Sequence, residues 1–343
     1  MAGFLTLGTG CSIAIGDYPA PVERVRPAEA TLLPDYVEPA GMRFVLTGDL
    51  HCHSQESNGS GIMTSRVLAD SVKVGYDFVA LTDHNTLAQN QWDWSTPSLL
   101  VLSGMELSTN YGHFNVFGLT ELADWRSYFA SVADFNAYVE YLQGLGAVVQ
   151  HNHPNRDRTP EQGFVADYGL QVDCVEILNK TINDEDKLTL QRDFQAMLAS
   201  GIRRTGTAGS DAHRNYDIRS EYNHVWVSER SEVAVLYALA HGHSYVTTAP
   251  DGPVLSLTCG DAIMGDSVAY ETGRSIDVYI TGLEIGSIVR LFDADGQIGI
   301  DETVGSSAFY RAIPTEVDTG FVRVEVWRPD GGLVAFSNPL YID

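Results

Sequence analysis

The chain has 343 residues, 44% of them hydrophobic, which is enough to bury a sizeable core and favours two or three domains over one. A formal net charge of -24, with no basic run to offset it, sets the surface against nucleic acid and anionic membranes, so neither is an expected partner. No apolar run approaches the roughly 18 residues that cross a bilayer, and Cys11, Cys52, Cys174 and Cys259 are too scattered for a zinc ribbon or a dense disulfide framework.

Met1 to Gly16 is small-residue-rich but lacks basic residues ahead of its apolar stretch, so it leaves a soluble protein's compartment open between cytoplasm and export. Five prolines between Pro19 and Pro39 make residues 1–40 an extended N-terminal arm. From there the texture alternates. Strands are expected over 43–50, 78–81, 99–102, 114–118, 147–150, 172–178 and 202–208. Helices are expected over 64–73, with Gly75 as the stop, and over 133–145, 184–199 and 231–240. Short strands alternating with helices imply an α/β fold with a mostly parallel sheet over residues 41–250, closed into a barrel or left open and doubly wound. Past Pro250 the helical period stops. Short runs over 254–258, 275–280, 288–292, 321–327 and 333–336, with turn signals at Asp295-Gly296 and Pro329 to Gly332, read as a small β-sandwich over 254–343.

Seven of the ten histidines fall where an expected strand ends or a loop begins. His51 and His53 close the first strand, and an i, i+2 pair points both imidazoles to one side. His84 follows the second strand and Glu106 the third, and His113 opens the next segment. His151 and His153 end a later strand, and Asp211 and His213 end the last. In a parallel barrel these ends meet on one face, and imidazole with carboxylate is the ligand set of zinc, manganese or iron. A single strand-end histidine is more often an ordinary hydrogen-bonding residue, whereas the joint pattern points to a metal site. Asp83 suits a supporting role behind an imidazole, and Cys52, between His51 and His53, suits a buried position facing away.

The order H-x-H, T-D-H, G-x-E, H-P and S-D-x-H over residues 43 to about 250 resembles the PHP superfamily, named for the polymerase and histidinol phosphatase proteins. The segments Gly112-His113-Phe114-Asn115 and Asn152-His153-Pro154, with the appended β-domain, are similar to the branch that includes carbaryl hydrolase. The resemblance implies a distorted (β/α)7 barrel holding two or three divalent ions (Zn, Mn or Fe). It implies His51, His53, Glu106 and Asp211 on one ion, Glu106, His113 and His153 on a second, and His84 with His213 on a third. One position departs: Ser57-Asn58-Gly59 puts a neutral amide where the family has Ser-Asp-Gly, which weakens the third site.

A water activated by such ions would attack a small-molecule ester. His213, His84 or His151 would protonate the leaving group, His151 being aimed at the cavity by its i, i+2 relation to His153, and Arg214 would steady an anionic substrate. Phosphomonoester or phosphodiester hydrolysis leads, with carboxylic ester, carbamate or amide hydrolysis as the alternative and an inactive binding module as a third reading. A phosphate would want Arg156, Arg158, Arg214 or Arg219 at the pocket. A neutral ester would want apolar walls, for which Trp92, Trp94, Phe164 and Tyr216 are candidates.

Overall fold

The computed structural model describes residues 19–23, 43–57, 60–155, 169–180, 184–214, 221–299, 301–315 and 320–343. Cys11, Asn58, Arg156, Arg158, Phe164, Tyr216, Arg219 and most of the arm lie outside them.

Seven strands make a sheet that curls on itself: β1 Phe44–Cys52, β2 Phe78–Leu81, β3 Leu100–Thr109, β4 Gly112–Phe117, β5 Val148–His151, β6 Cys174–Asn179 and β7 Thr205–Gly209. Neighbours pair in chain order, and six strands share one direction. The exception is β4, which runs antiparallel to both β3 and β5. The expectation of continuous parallel alternation fails there because only Asn110 and Tyr111 separate β3 from β4, a hairpin length that no crossover helix can fit. The sheet's two ends meet at a parallel bridge between Cys52 and Ala212. Further down, Asn223 spans the same seam: its Nδ2 donates to the carbonyls of Gly48 (3.2 Å) and Ala208 (2.8 Å), and its Oδ1 accepts from the Ala208 amide (2.9 Å).

Asn223 belongs to β8 (Tyr222–Val227), which pairs antiparallel with β1 on one side and with β9 (Ser244–Thr247) on the other. Neither strand was expected from the sequence. The helices α1 (Thr64–Val74) and α2 (Val132–Gly144) lie close to their expected spans, and Gly75 ends α1 with a left-handed φ of 88°. The third helical stretch is broken in kind: α3 (Asp184–Leu188) and α4 (Gln195–Ala199) flank π-helical turns over Thr189–Phe194. The last helix, α5 (Glu232–Ala240), is capped by the Ser231 hydroxyl and packs Val235, Leu236 and Leu239 against Phe78, Leu102, Phe117 and Val148 at the foot of the curled sheet. Apolar layers therefore fill the lower interior, and the polar side chains gather above them.

Residues 254–343 form two facing sheets. β10 (Val254–Cys259), β11 (Ser275–Thr281) and β12 (Ala308–Pro314) turn Leu255, Leu257, Val278, Ile280 and Phe309 onto Val289 and Leu291 of β13 (Ile288–Asp293, between β11 and β12 in sequence) and onto Val322, Val324 and Val326 of β14 (Phe321–Trp327). β15 (Leu333–Ser337) joins β9, so this second sheet continues the first. Among the described residues no helix is long and apolar enough to cross a membrane.

The β8–β9 seam predicts an acid sensitivity. His224 accepts or donates one hydrogen bond at each ring nitrogen, to Thr47 Oγ1 (2.9 Å) and Thr247 Oγ1 (2.8 Å), and stacks on Tyr245. Burial drives its pKa down to about 4. A folded pKa below the unfolded one gives stability that is present above pH 6.5 and lost as the pH falls towards 4, worth about 3 kcal/mol for this group. Urea midpoints should fall over that window, and His224→Gln should flatten the fall.

Candidate metal centre

The ends of the curled strands bring the histidines together, with irregular backbone doing the aiming. A register shift between Asp49 and Cys52 resets the alternation of β1, so that Leu50 lies in the interior apolar cluster while His51 beside it also points inward. Cys52 faces outward into the core against Val67 and Leu68, and His53 returns to the interior. Among the described residues four non-glycine residues adopt positive φ, and all follow strand ends or turn at this mouth: Asn85 (52°), His153 (28°), Lys180 (57°) and Asp211 (45°). Such conformations cost energy and persist where the surroundings impose them. Gly209 is required for a different reason, since a Cβ there would lie 2.2 Å from Glu176 Oε1 and 2.4 Å from His51 Cβ.

Glu106 is the hub. It lies within β3, not after a strand, because that strand runs on to Thr109. Its Oε1 is 3.3 Å from His51 Nε2, 3.1 Å from His113 Nδ1 and 3.4 Å from His153 Nε2. Its Oε2 is 3.3 Å from His53 Nε2 and 2.9 Å from His84 Nδ1. Asp211 Oδ1 completes the group at 3.6 Å from His51 Nε2, 3.2 Å from His53 Nε2 and 3.2 Å from His213 Nδ1. His51, His53, Glu106 and Asp211 have ligand atoms close enough to share one ion; so do His53, His84 and His213, and so do His84, Glu106 and His113.

The donor chemistry fits an ion. His51 Nε2, His53 Nε2, His84 Nδ1 and Glu106 Oε2 are all buried and have no hydrogen-bond partner, although they converge on one another. Buried polar atoms are rarely left so unless something else binds them.

The layer behind sets the tautomers. His51 Nδ1 faces Glu176 Oε1 at 2.9 Å, so it donates and leaves the Nε2 lone pair to the centre. Ser57 Oγ donates to Asp83 (2.8 Å) and accepts the His84 amide (2.9 Å), so the remaining 3.0 Å contact with His53 Nδ1 has the imidazole as donor. His53 Nε2 is thereby also left as a lone pair. Asp83 thus reaches an imidazole through Ser57 and not directly.

Electrostatics reinforce this. Burial alone would pull the His51 imidazole down, but the carboxylates of Glu176, Glu106 and Asp211 hold it well above its ordinary value. Burial would raise Glu106, yet His51 and the hydrogen bonds from His113 and His153 hold it well below the usual carboxylate range. Protons and cations compete for this cluster, so loading an ion should release protons.

His151 corrects an expectation. Gln150 and Asn152 face the interior, where Gln150 Nε2 meets Asn152 Oδ1 (3.0 Å) and Asn152 Nδ2 meets Glu106 (3.0 Å). His151 between them points to the other side and stacks on Phe114 at 4.6 Å. The left-handed turn at His153 breaks the i, i+2 relation, so only His153 reaches the centre. Burial, with His153 and His113 nearby, drives the His151 pKa down to about 3, leaving a neutral ring. His151→Phe should leave turnover within about twofold of the parent, measured under saturating substrate; a loss of a hundredfold would restore it to the reaction.

Other expectations sort as follows. Arg214 is exposed beside His213. Trp94 packs on the outer core with Val67 and Leu81 and donates to the Gln89 carbonyl, so it forms no wall of the centre. Glu176 and Lys180, with Nζ 2.8 Å from Asp211 Oδ2, had no motif to mark them, whereas Asn152 stands in the Asn152-His153-Pro154 segment but was given no role of its own. Only the strand-end position of Lys180 after β6 could have suggested it.

No family model matches the chain, and no curated protein does. Among solved structures, the chain is similar to Endonuclease Q, crystallised in complex with a 27-mer duplex substrate that has an abasic lesion at the active site. The two share 12% sequence identity over 64% of each chain, with a TM-score of 0.40, so the chain spans about 64% of that protein's length. This finding corrects one expectation. Net charge does not decide what a local site binds, so it does not exclude nucleic acid as a partner, and that neighbour was crystallised with a duplex.

Proposed function

We propose that the chain is a metal-dependent phosphoesterase of the PHP superfamily, in the branch with an appended β-domain, with residues 41–250 as the catalytic unit and 254–343 as the appendage. The observation that carries the reading is the set of buried, unpartnered nitrogens and oxygen around Glu106. His51, His53, Glu106 and Asp211 would hold one divalent ion, His113 and His153 would add a second through Glu106, and His84 with His213 would serve a third. When bound, zinc, manganese or iron supplies Lewis acidity and an activated water.

The chain's own residues do the rest. Glu176 and the Ser57–Asp83 pair hold two imidazoles in the tautomer that presents Nε2. His84, His113 and His213 form a rim 23–35% exposed, through which a substrate enters, while His51 and His53 form a closed floor. His84 or His213 supplies a proton to the leaving oxygen where it is not engaged as a ligand. Lys180, and Arg214 at the exposed edge, place positive charge by the mouth, which favours an anionic phosphoester over a neutral ester.

The test is elemental analysis of the purified protein, followed by assays of chromogenic phosphomonoesters, phosphodiesters and carboxylic esters and of a duplex oligonucleotide. Two or more ions per chain and metal-dependent phosphoester cleavage support the reading. Turnover of carboxylic esters alone moves it to the ester and carbamate class, and fewer than one ion with no turnover on adding zinc, manganese or iron overturns it.

A further inference from the structure

A second cavity lies at the other end of the curled sheet. Its volume is about 470 Å³, and its walls come from residues just before or at the start of strands, Asp173 ahead of β6 and Arg203, Arg204 and Thr205 at β7, together with His241 after α5 and Asn338 of the C-terminal unit. The metal centre sits at the opposite, C-terminal strand ends. The wall is built by close backbone approach: a Cβ on Gly265 would lie 2.0 Å from the His241 carbonyl, and one on Gly242 would lie 3.1 Å from Gly265 Cα.

The polar groups here divide into engaged and unengaged. Asp173 has both carboxylate oxygens occupied, by Gln143 Nε2 (2.9 Å) and the Val149 amide (2.8 Å). Asn338 is consumed by the Gly206 backbone and Ser244. Arg203 binds Ser267 Oγ and Asp343 and lies over the Tyr341 ring. Arg204 differs. Its Nη1 donates to the Arg203 carbonyl (2.7 Å), and its Nε is buried without any hydrogen-bond partner. A guanidinium carries five donors in a planar fork; Arg204 as a whole is half-buried, and its Nε has lost water without replacing it. Arg203 is offset by Asp343 and the Asp173 carboxylate attracts Arg204, so what sets Arg204 apart on this wall is its unmatched donor.

We propose that this cavity is a binding site for a small oxyanion, a phosphate or carboxylate group held by the Arg204 fork, lying between the foot of the curled sheet and the C-terminal strands. An occupant held by Arg204 would also meet Asn338 and Tyr341, so it would brace the two parts against each other. The inference is independent of the reading of the metal centre.

The experiment is thermal unfolding of the metal-loaded protein titrated with inorganic phosphate, at ionic strength held constant with chloride, and in parallel with succinate. A saturable rise of about 3 °C is expected. Arg204→Met should abolish it. Gln171→Glu, which puts a carboxylate on the cavity rim at an exposed position, should abolish it also and guards against a folding defect in the first variant. A larger rise with succinate than with phosphate would identify a carboxylate as the occupant's anchoring group. No rise in the parent protein, or an equal rise in both variants, would overturn the proposal, because phosphate bound at the metal centre would survive both substitutions.

Discussion

Replacing Glu106 by glutamine should remove at least one ion per chain and lower turnover by about a thousandfold, the loss of roughly 4 kcal/mol of transition-state stabilisation. Asp211 approaches three imidazoles, whereas the two oxygens of Glu106 approach five. Glutamine keeps the shape and removes the charge. Without that charge the five imidazoles lose their shared counter-ion, and a neutral amide oxygen is a poor bridge between cations. The measurement pairs metal content with kcat: a variant that keeps both its ions and its turnover would show that Glu106 is a structural carboxylate and that ligation lies elsewhere. A circular dichroism spectrum close to that of the parent is also expected, because the apolar layers beneath Glu106 involve Phe78, Leu102, Phe117 and Val148 and not the cluster itself.

The convergence around Glu106 is legible in the sequence because it depends on one rule. Strands of a curled sheet place their ends on one face, so histidines and carboxylates spaced far apart in the chain can be read as neighbours. What the rule does not carry is anything set by a break in regular backbone. His151 and His153 have the spacing of a same-side pair, but a residue of positive φ at 153 separates them, a conformation that histidine adopts more readily than most residues and that spacing alone does not reveal. The reversed strand β4 and the continuation of β3 to Thr109 arise from a two-residue hairpin with neither glycine nor proline at its centre. Glu176 reads as one more buried strand position, and its role appears only when β6 and β1 are brought side by side. The strands β8 and β9 do alternate, but they lie outside the curl and patch its seam, a place that no strand-helix count reserves. In the C-terminal unit β12 escapes notice because Phe309 and Ile313 alone face its core, leaving Tyr310 and Arg311 exposed between them.

The junction between the two halves should fail at Glu325. Its Oε1 accepts from Arg323 Nη1 (2.7 Å) and its Oε2 from Trp327 Nε1 (2.8 Å), with neither charged side chain exposed. Arg323 in turn donates to Gln195 (2.8 Å), whose Nε2 reaches the Asp293 carbonyl, and it lies over the Phe292 ring at 4.2 Å. The inward face of β14 therefore presents valines to the C-terminal core, while its other face presents a buried ion pair to α4. Glu325→Ala strands the Arg323 charge with one polar partner and a second nitrogen already unbonded. Removing one member of such a pair costs about 3–5 kcal/mol, which for a chain of this size corresponds to a fall in Tm on the order of 5 °C. Replacing both, as Arg323→Met with Glu325→Leu, removes the stranded charge along with its partner and should recover most of the loss. Thermal unfolding of the two single variants and the double variant closes the cycle. Equal and additive losses would show that the pair is not coupled, and that the junction is held by Phe321, Trp327 and Phe336 against the barrel-side core instead.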